Sequence, residues 1–240
     1  MMPARKRAAL ILAGVVLVAA AAAAIAVTRI PKNAVPQQRP TLLLLTSLPL
    51  MFGEQFSLSG GGSPALRALQ SRYRVVPISV TDPAELKKGE LMLMAHPLAQ
   101  PAEELVALDQ WVRGGGHLLL LADPLLEWPS SRPLGDALRP PPMFMDTGLL
   151  LHWGLRLDAP EQRGKQARKL GGRDVLTSSP GSLEGSCDVS ADRLVARCRI
   201  GKGRATVVAD ADLLDTADLG GGAEHNLDAL LGELASLGDK

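Results

Sequence analysis

The sequence predicts an α/β domain with a mainly parallel sheet flanked by helices, preceded by one transmembrane helix. Three observations lead to this prediction. Short apolar runs alternate with helical patterns, and the runs lack the polar–apolar alternation of a half-exposed strand, which is typical of parallel strands covered on both faces. Hydrophobic residues make up 46% of the chain and aromatic residues only 3%, so aliphatic side chains must fill the core. Near the amino terminus, an apolar run of about 20 residues is long enough to cross a bilayer.

The amino-terminal segment predicts a membrane anchor and the side on which the domain lies. Residues 8–27 are uninterruptedly apolar, and residues 1–7 form a basic tail before them. By the positive-inside rule, this tail stays in the cytoplasm and the rest of the chain is exported. A cleaved signal peptide is the alternative, because Ala-Ile-Ala near the end of the run offers a cleavage site. The length of the run favours an uncleaved anchor, which predicts a single-pass inner-membrane protein with its domain in the periplasm.

The composition of the next segment and the net charge of the domain limit the kinds of partner that the protein can bind. Residues 28–40 contain three prolines and no periodicity, which predicts a linker before a domain over residues 41–240. Six basic residues precede Thr41, so the domain retains 20 basic and 25 acidic residues, a net charge of −5. An acidic domain repels phosphate backbones, which excludes nucleic acid as a partner.

The first half of the domain shows a strand–helix alternation. Residues 41–45, 73–80, 91–97 and 117–121 are apolar or β-branched runs, and each predicts a strand. Ser63 and Pro64 have the residue types of a helix N-cap and first helical position. A second helix is predicted from Pro101 to a carboxyl-terminal cap at Gly114.

The second half is predicted to be less regular. Residues 125–190 are expected to form an irregular insertion, loosely structured over 161–185, with a short helix and an extended piece within residues 146–160. Residues 193–210 predict two strands joined by a tight turn at Gly201-Lys202-Gly203. Asn226 is predicted to cap a final helix, which has a leucine stripe and ends at Gly238.

Polar side chains follow the predicted strands where each one ends. Function in parallel sheets gathers at the carboxyl ends of the strands, so these side chains predict a binding rim for a small polar or glycan-like ligand. The alternative is that they cap helix amino termini. The candidate rim residues are Ser47, His96, Asp123, Asp210 and Asp212.

Three kinds of enzyme site are excluded by inspection. The glycine-rich stretch before Pro64 lacks the lysine and the spacing of a phosphate-binding loop. Around Asp123 there is no serine, cysteine or flanking glycine of a nucleophile elbow, and Pro124 lacks an N–H. Residues 210–218 lack the glycine and glutamate of a calcium loop. Asp123 is therefore interpreted as a structural or ligand-facing carboxylate, and no catalytic residue or cofactor is predicted. The alternative is a periplasmic hydrolase with Asp123 or Asp210 as general base and His96 as its partner.

The two cysteines predict a disulfide. Cys187 and Cys198 are the only cysteines, and an even pair in an exported chain is typical of a bridge. Two unpaired buried thiols are the alternative. The four histidines are scattered along the sequence, so no metal site is predicted.

Several segments together resemble one family. They are "SPALRALQSRYRV", "MAHPLAQPAEELVALDQWVRGGGHLLLLADP", "LLLHWGLRLD" and "IGKGRATVVADADLLD", followed by the final helix. In their residues and in their order along the chain, they resemble the gliding-motility-type ABC transporter auxiliary family and its relatives of unknown function. The resemblance implies a membrane-anchored extracytoplasmic domain with a class I glutamine amidotransferase-like, flavodoxin-like topology. It also implies that the catalytic cysteine of the amidotransferases would stand at about Asp123, and that ABC permease and ATPase subunits are partners.

Overall fold

A mainly parallel sheet of seven strands forms the centre of the domain. The computed structural model describes residues 39–52 and 62–239. The predicted anchor at 8–27 and the linker up to residue 38 lie outside these residues. Within the described ranges, no helix is long and apolar enough to cross a membrane.

The strands and helices follow the predicted alternation in the first half. The strands are β1 (Thr41–Thr46), β2 (Arg74–Pro77), β3 (Leu91–Ala95), β4 (His117–Leu121), β5 (Leu155–Asp158), β6 (Lys165–Leu170), β7 (Arg173–Ser178), β8 (Ser182–Gly185), β9 (Asp188–Val189), β10 (Val195–Ile200) and β11 (Gly203–Val208). The helices are α1 (Pro64–Arg72), α2 (Pro83–Leu86), α3 (Ala102–Gly114), α4 (Leu149–His152), α5 (Thr216–Leu219) and α6 (Asn226–Gly238), with a 3₁₀ turn at Asp212–Leu214.

The central sheet confirms the predicted class. Its order is β2-β1-β3-β4-β11-β10-β9. The first five strands in this order are mutually parallel. Strand β10 runs antiparallel to β11, as predicted for the 193–210 hairpin. Strand β9, which was not predicted, pairs antiparallel with β10. The domain is therefore a mixed α/β fold with a mainly parallel sheet.

Both faces of the sheet are covered, which explains the unalternating leucine runs. In β1, Leu42 and Leu44 point into an apolar cluster that includes residues of α1 and α6. Leu43 and Leu45, on the opposite face, belong to a second cluster with residues of α3. All four leucines of the strand are thus core, and alternation with polar residues would leave polar groups buried.

The predicted helix boundaries are close to the observed ones. The Ser63 hydroxyl accepts a hydrogen bond from Leu66 N at 3.0 Å, as an N-cap should. After α3 the left-handed position falls on Gly115 (φ 124°), one residue beyond the predicted Gly114.

The predicted irregularity of residues 125–190 is wrong for its second part. Residues 125–148 contain no helix or strand, and we call this segment the strap. Residues 155–189 instead hold five strands, including the antiparallel hairpin β6–β7. Gly171 and Gly172 turn this hairpin with φ values of 59° and 79°, so the pair makes the two-residue turn that glycine favours.

Asn226 does not cap α6 as predicted, because it is the first helical residue and is buried. Its Oδ1 accepts from Leu176 N at 2.8 Å, and its Nδ2 donates to the carbonyl oxygens of Leu176 and Leu213 at 2.7 and 2.9 Å. The side chain therefore joins β7 to the 3₁₀ turn rather than satisfying its own helix.

The predicted disulfide is confirmed. Cys187 and Cys198 are bonded, with their Cα atoms 4.9 Å apart. The pairing of Asp188 with Arg197 places the two cysteines opposite each other at the outer edge of the sheet.

Candidate functional site

Three buried carboxylates meet where β4 and β11 end. Asp123 follows β4, and Asp210 and Asp212 follow β11, its parallel neighbour, in which Val208 pairs with Leu121. The exposed fractions of these residues are 0%, 0% and 3%. The structure thus brings together three of the five predicted rim residues.

Asp123 is held by backbone donors on both of its oxygens. Its Oδ1 accepts from Leu125 N at 2.9 Å, and its Oδ2 accepts from Ala211 N at 2.8 Å and from Asp212 N at 3.4 Å. The first bond shapes the turn that begins the strap, and the other two fix the backbone after β11. Asp123 therefore ties the two strand ends together.

Asp210 and Asp212 are used in a similar way. Asp210 accepts from Leu213 N at 2.7 Å on Oδ1 and from Ser178 N at 3.1 Å on Oδ2. Asp212 accepts from Glu127 N at 2.8 Å on Oδ2. At the ends of β7 and β11 and in the strap, these carboxylates thus accept hydrogen bonds from backbone N–H groups in place of backbone carbonyl oxygens.

Burial changes the acidity of all three groups. Removal from water raises the pKa of Asp123 to about 6, against the lowering effect of its backbone hydrogen bonds. Burial and the charge of Asp123 raise the pKa of Asp212 to about 8. The pKa of Asp210 is also held well above its ordinary value, by burial and by the charges of Asp123 and Asp212.

A cleft lies beside this cluster. Its volume is about 320 Å³, and its lining includes Asp212, Glu127, Ser178 and Lys165. The Ser178 hydroxyl donates to Glu127 Oε2 at 2.6 Å. Lys165 Nζ donates to the carbonyl oxygens of Asp218 and Leu219. Neither Asp123 nor Asp210 lines the cleft, so Asp212 is the predicted rim aspartate that a ligand there could reach.

The other two predicted rim residues form a separate pair. The Ser47 hydroxyl donates to the His96 carbonyl oxygen. His96 Nε2 lies 2.8 Å from the carbonyl oxygen of Pro141 in the strap, so this nitrogen carries the hydrogen. Nδ1 is buried without a partner among the described residues, and burial lowers the pKa of the ring. His96 is thus a neutral residue that holds the strap.

This geometry limits the chemistry of the cluster. A hydrolase using Asp123 or Asp210 with His96 needs a hydrogen bond between the ring and a carboxylate. Here one ring nitrogen faces a backbone carbonyl, the other has no partner within the described ranges, and both carboxylates are occupied by backbone N–H groups. Those ranges also contain no group of three or more His, Cys, Asp or Glu side chains placed to hold a metal ion.

Sequence reasoning missed Glu127 and Ser178. Glu127 is an exposed residue of the strap, and Ser178 ends a hairpin that was expected to be loosely structured. They are 51 residues apart in the chain, and no local pattern connects them. Only the Gly171-Gly172 turn, had it been interpreted as a hairpin signal, could have placed Ser178 in an ordered strand.

Comparison with known proteins identifies the fold alone. The domain superposes on an exo-β-1,4-mannosidase from Opitutaceae bacterium strain TAV5 with a TM-score of 0.51 and 15% identity, covering 83% of this chain and 36% of the enzyme. A β-galactosidase from Rahnella sp. R3 gives a TM-score of 0.48 and 12% identity, covering 83% of this chain and 31% of the enzyme. A cytoplasmic protein from Salmonella typhimurium gives 0.49 and 11%, covering 83% of this chain and 99% of that one.

The chain thus spans about a third of the length of the two glycosidases. No protein-family model and no curated protein sequence matches it. The mannosidase likeness agrees with an α/β domain built on a mainly parallel sheet.

Proposed function

We propose that this chain is a membrane-anchored periplasmic auxiliary domain that binds a partner or ligand without catalysis. It would work with an ABC-type transporter or another assembly of the cell envelope, as the gliding-motility-type family resemblance implies. The observation that carries the non-enzymatic part is the state of Asp123 and Asp210. All four of their carboxylate oxygens accept backbone N–H groups, and neither side chain lines the cleft, so neither is placed to act as a base on a ligand there.

Two further observations support the proposal. The strand order β2-β1-β3-β4-β11 matches the 2-1-3-4-5 order of flavodoxin-like sheets, in line with an amidotransferase-like topology. The position after β4, where the resemblance would put the cysteine of an amidotransferase, is occupied by the backbone-bonded Asp123. The disulfide at Cys187 and Cys198 is typical of an oxidising compartment, which supports a periplasmic location.

Within this proposal, the ligand site is the cleft beside Asp212. Carboxyl groups and a serine hydroxyl line it, and these groups suit a small polar or glycan-like ligand that forms hydrogen bonds. Of the five rim residues predicted from the sequence, only Asp212 lines this cleft. Glu127 and Ser178, which were not predicted, line it as well.

The test is purification of the full chain from membranes in mild detergent, with identification of the proteins that accompany it. We expect a permease and an ATPase subunit to co-purify. The Asp136→Asn variant, altered at a surface position of the strap, should retain them. Recovery of the chain alone, together with turnover of an ester, amide or glycoside, would contradict the proposal.

A hydrolase remains a second candidate because of one observation. Asp212 lines a cleft and has a pKa raised to about 8, and a protonated carboxyl at neutral pH is what a general acid requires. If this function is correct, the chain hydrolyses a member of a glycoside panel, and Asp212→Asn abolishes the turnover while the protein remains folded by circular dichroism.

A further inference from the structure

The amino-terminal edge of the parallel sheet, where its strands begin, carries a set of exposed cations. We call Arg39, Arg72, Arg74, Lys87, Arg199 and Lys202 the basic edge. All six are exposed, and none forms an ion pair with another described residue. Two exposed carboxylates, Glu90 and Asp239, lie at the same edge. The excess of positive charge contrasts with the net charge of −5 of residues 41–240.

Strand register places these cations together. Arg74 pairs with Thr41 at the start of β1 and β2, and Lys87 precedes β3, which begins beside Leu42. Lys202 lies in the turn before β11, and its N–H donates to the carbonyl oxygen of Arg113 at 3.0 Å, next to the start of β4. The basic edge therefore extends across the starts of successive strands.

Helix dipoles account for only part of this charge. Arg72 and Lys87 stand at the carboxyl ends of α1 and α2, where cations are favourable. Arg199 and Lys202 belong to the β10–β11 hairpin, and Arg39 and Arg74 to strand ends, so no helix end requires them.

The chain enters the domain at this same edge. The Pro40 carbonyl oxygen accepts from Arg74 N at 2.9 Å, immediately before β1 begins. Thirty-eight residues precede Arg39, and the thirteen residues of the predicted linker span about 45 Å at most when fully extended. An anchor at residues 8–27 would therefore keep the basic edge within about 45 Å of the bilayer.

We infer that the basic edge docks on the anionic phospholipid headgroups of the membrane that anchors the chain. The inference rests on the anchor of the proposed function. Phosphate headgroups complement lysine and arginine, and each cation near an anionic surface strengthens the association about fivefold. Docking would point the carboxyl ends of the strands, with the cleft beside Asp212, away from the membrane.

The test uses the full chain reconstituted into phosphatidylcholine vesicles with and without phosphatidylglycerol. A membrane-impermeant amine reagent modifies exposed lysines, and mass spectrometry measures the rate at each one. We expect modification of Lys87 and Lys202 to slow several-fold when phosphatidylglycerol is present. Lys169, exposed on β6, should react equally in both vesicles, and high salt should remove the difference.

Matched charge variants distinguish docking through the basic edge from an attraction to which any exposed cation of the domain would contribute. Arg72→Gln/Arg199→Gln removes two cations of the basic edge and leaves both reporter lysines, so their protection should fall. Arg163→Gln/Arg173→Gln removes two exposed cations near the β6–β7 hairpin and should leave the protection unchanged. Circular dichroism checks that both variants are folded.

Equal modification rates of Lys87 and Lys202 in the two kinds of vesicle would overturn the inference. Failure of the anchor gives a different result, because the chain then does not float with pure phosphatidylcholine vesicles. In that case flotation with phosphatidylglycerol vesicles decides: salt-sensitive flotation that is weakened by Arg72→Gln/Arg199→Gln supports docking, and absence of flotation refutes it.

Discussion

At the carboxyl-terminal edge of the sheet the aspartates are buried and hydrogen-bonded, whereas at the amino-terminal edge the cations are exposed and form no ion pair with another described residue. Asp123 and Asp210 each accept backbone N–H groups on both oxygens. Arg199, near the end of β10, and Lys202, in the turn that follows, are exposed and form no ion pair with the described part of the chain. We call the carboxyl-terminal edge, with Asp123, Asp210 and Asp212, the acidic edge. The difference indicates that the acidic edge stabilises the fold, while the basic edge can be altered without unfolding it. Four predictions test this contrast.

The largest effect is expected for Asn226→Ala at the acidic edge. The substitution removes three hydrogen bonds and leaves groups of Leu176 and Leu213 buried without partners. We expect the free energy of unfolding to fall by about 3 kcal/mol, measured by urea titration of the full chain. Asp228→Asn, an exposed change in the first turn of the same helix, should alter it by about 0.5 kcal/mol or less.

The second effect concerns Asp123→Asn. Asparagine offers one acceptor oxygen, so its amide group must face a backbone N–H that Asp123 now satisfies. We expect a loss of about 2 kcal/mol in the same assay. At Asp136 only Oδ1 accepts a backbone bond, from Leu138 N at 2.8 Å, so Asp136→Asn is the matched control and should cost far less. Equal stability of the two variants would show that the second oxygen of Asp123 contributes nothing.

The third effect is a decrease in stability with rising pH. The folded pKa values of Asp123 and Asp212 are about 6 and about 8, above the ordinary value near 4. Below pH 4 these groups are protonated in both states, so there is no penalty. Between pH 4 and the folded pKa of each group, about 6 for Asp123 and about 8 for Asp212, the unfolded chain releases the proton first, so the free energy of unfolding falls.

Urea titrations across this pH range measure the slope. Asp212→Asn should make the slope less steep, and the greatest difference should lie between pH 4 and 8. A slope that is unchanged in this variant would mean that Asp212 titrates normally in the folded protein.

The smallest effect is expected at the basic edge. Arg199→Gln/Lys202→Gln removes two exposed cations without an ion pair, so the free energy of unfolding should change by about 0.5 kcal/mol or less. A loss of 2 kcal/mol or more would show that the basic edge also stabilises the fold, which would contradict the proposed difference between the two edges.

The parallel part of the fold was predictable because burial of a strand on both faces produces a continuous apolar run in the sequence. The runs of leucine in β1 and β4 have no alternation, and flanking helices explain this. The β6–β7 hairpin produced a weaker signal. Its strands are mostly polar, and Leu170 and Val175 are the only buried apolar residues in them, beside the buried Thr177 and Ser178. Hydrophobic periodicity therefore failed, and turn chemistry at Gly171-Gly172 was the remaining signal.

The candidate site was predictable only in part, for a topological reason. Asp123, Asp210 and Asp212 follow neighbouring strands, so their proximity follows from the principle that parallel strands end at one edge. His96 follows β3, which β4 separates from β11, and its ring is engaged by Pro141 of the strap. Irregular segments such as the strap have no periodicity from which such a contact could be foreseen.

The disulfide has a consequence for self-association through the sheet. An exposed sheet edge presents unpaired N–H and C=O groups, on which a strand of another copy can assemble. Here the last strand on one side, β9, is two residues long and lies beside the covalent link between Cys187 and Cys198. On the other side, β2 ends at Pro77, which has no N–H to donate. Neither side therefore offers a long template, so copies of the domain should resist joining edge to edge into aggregates.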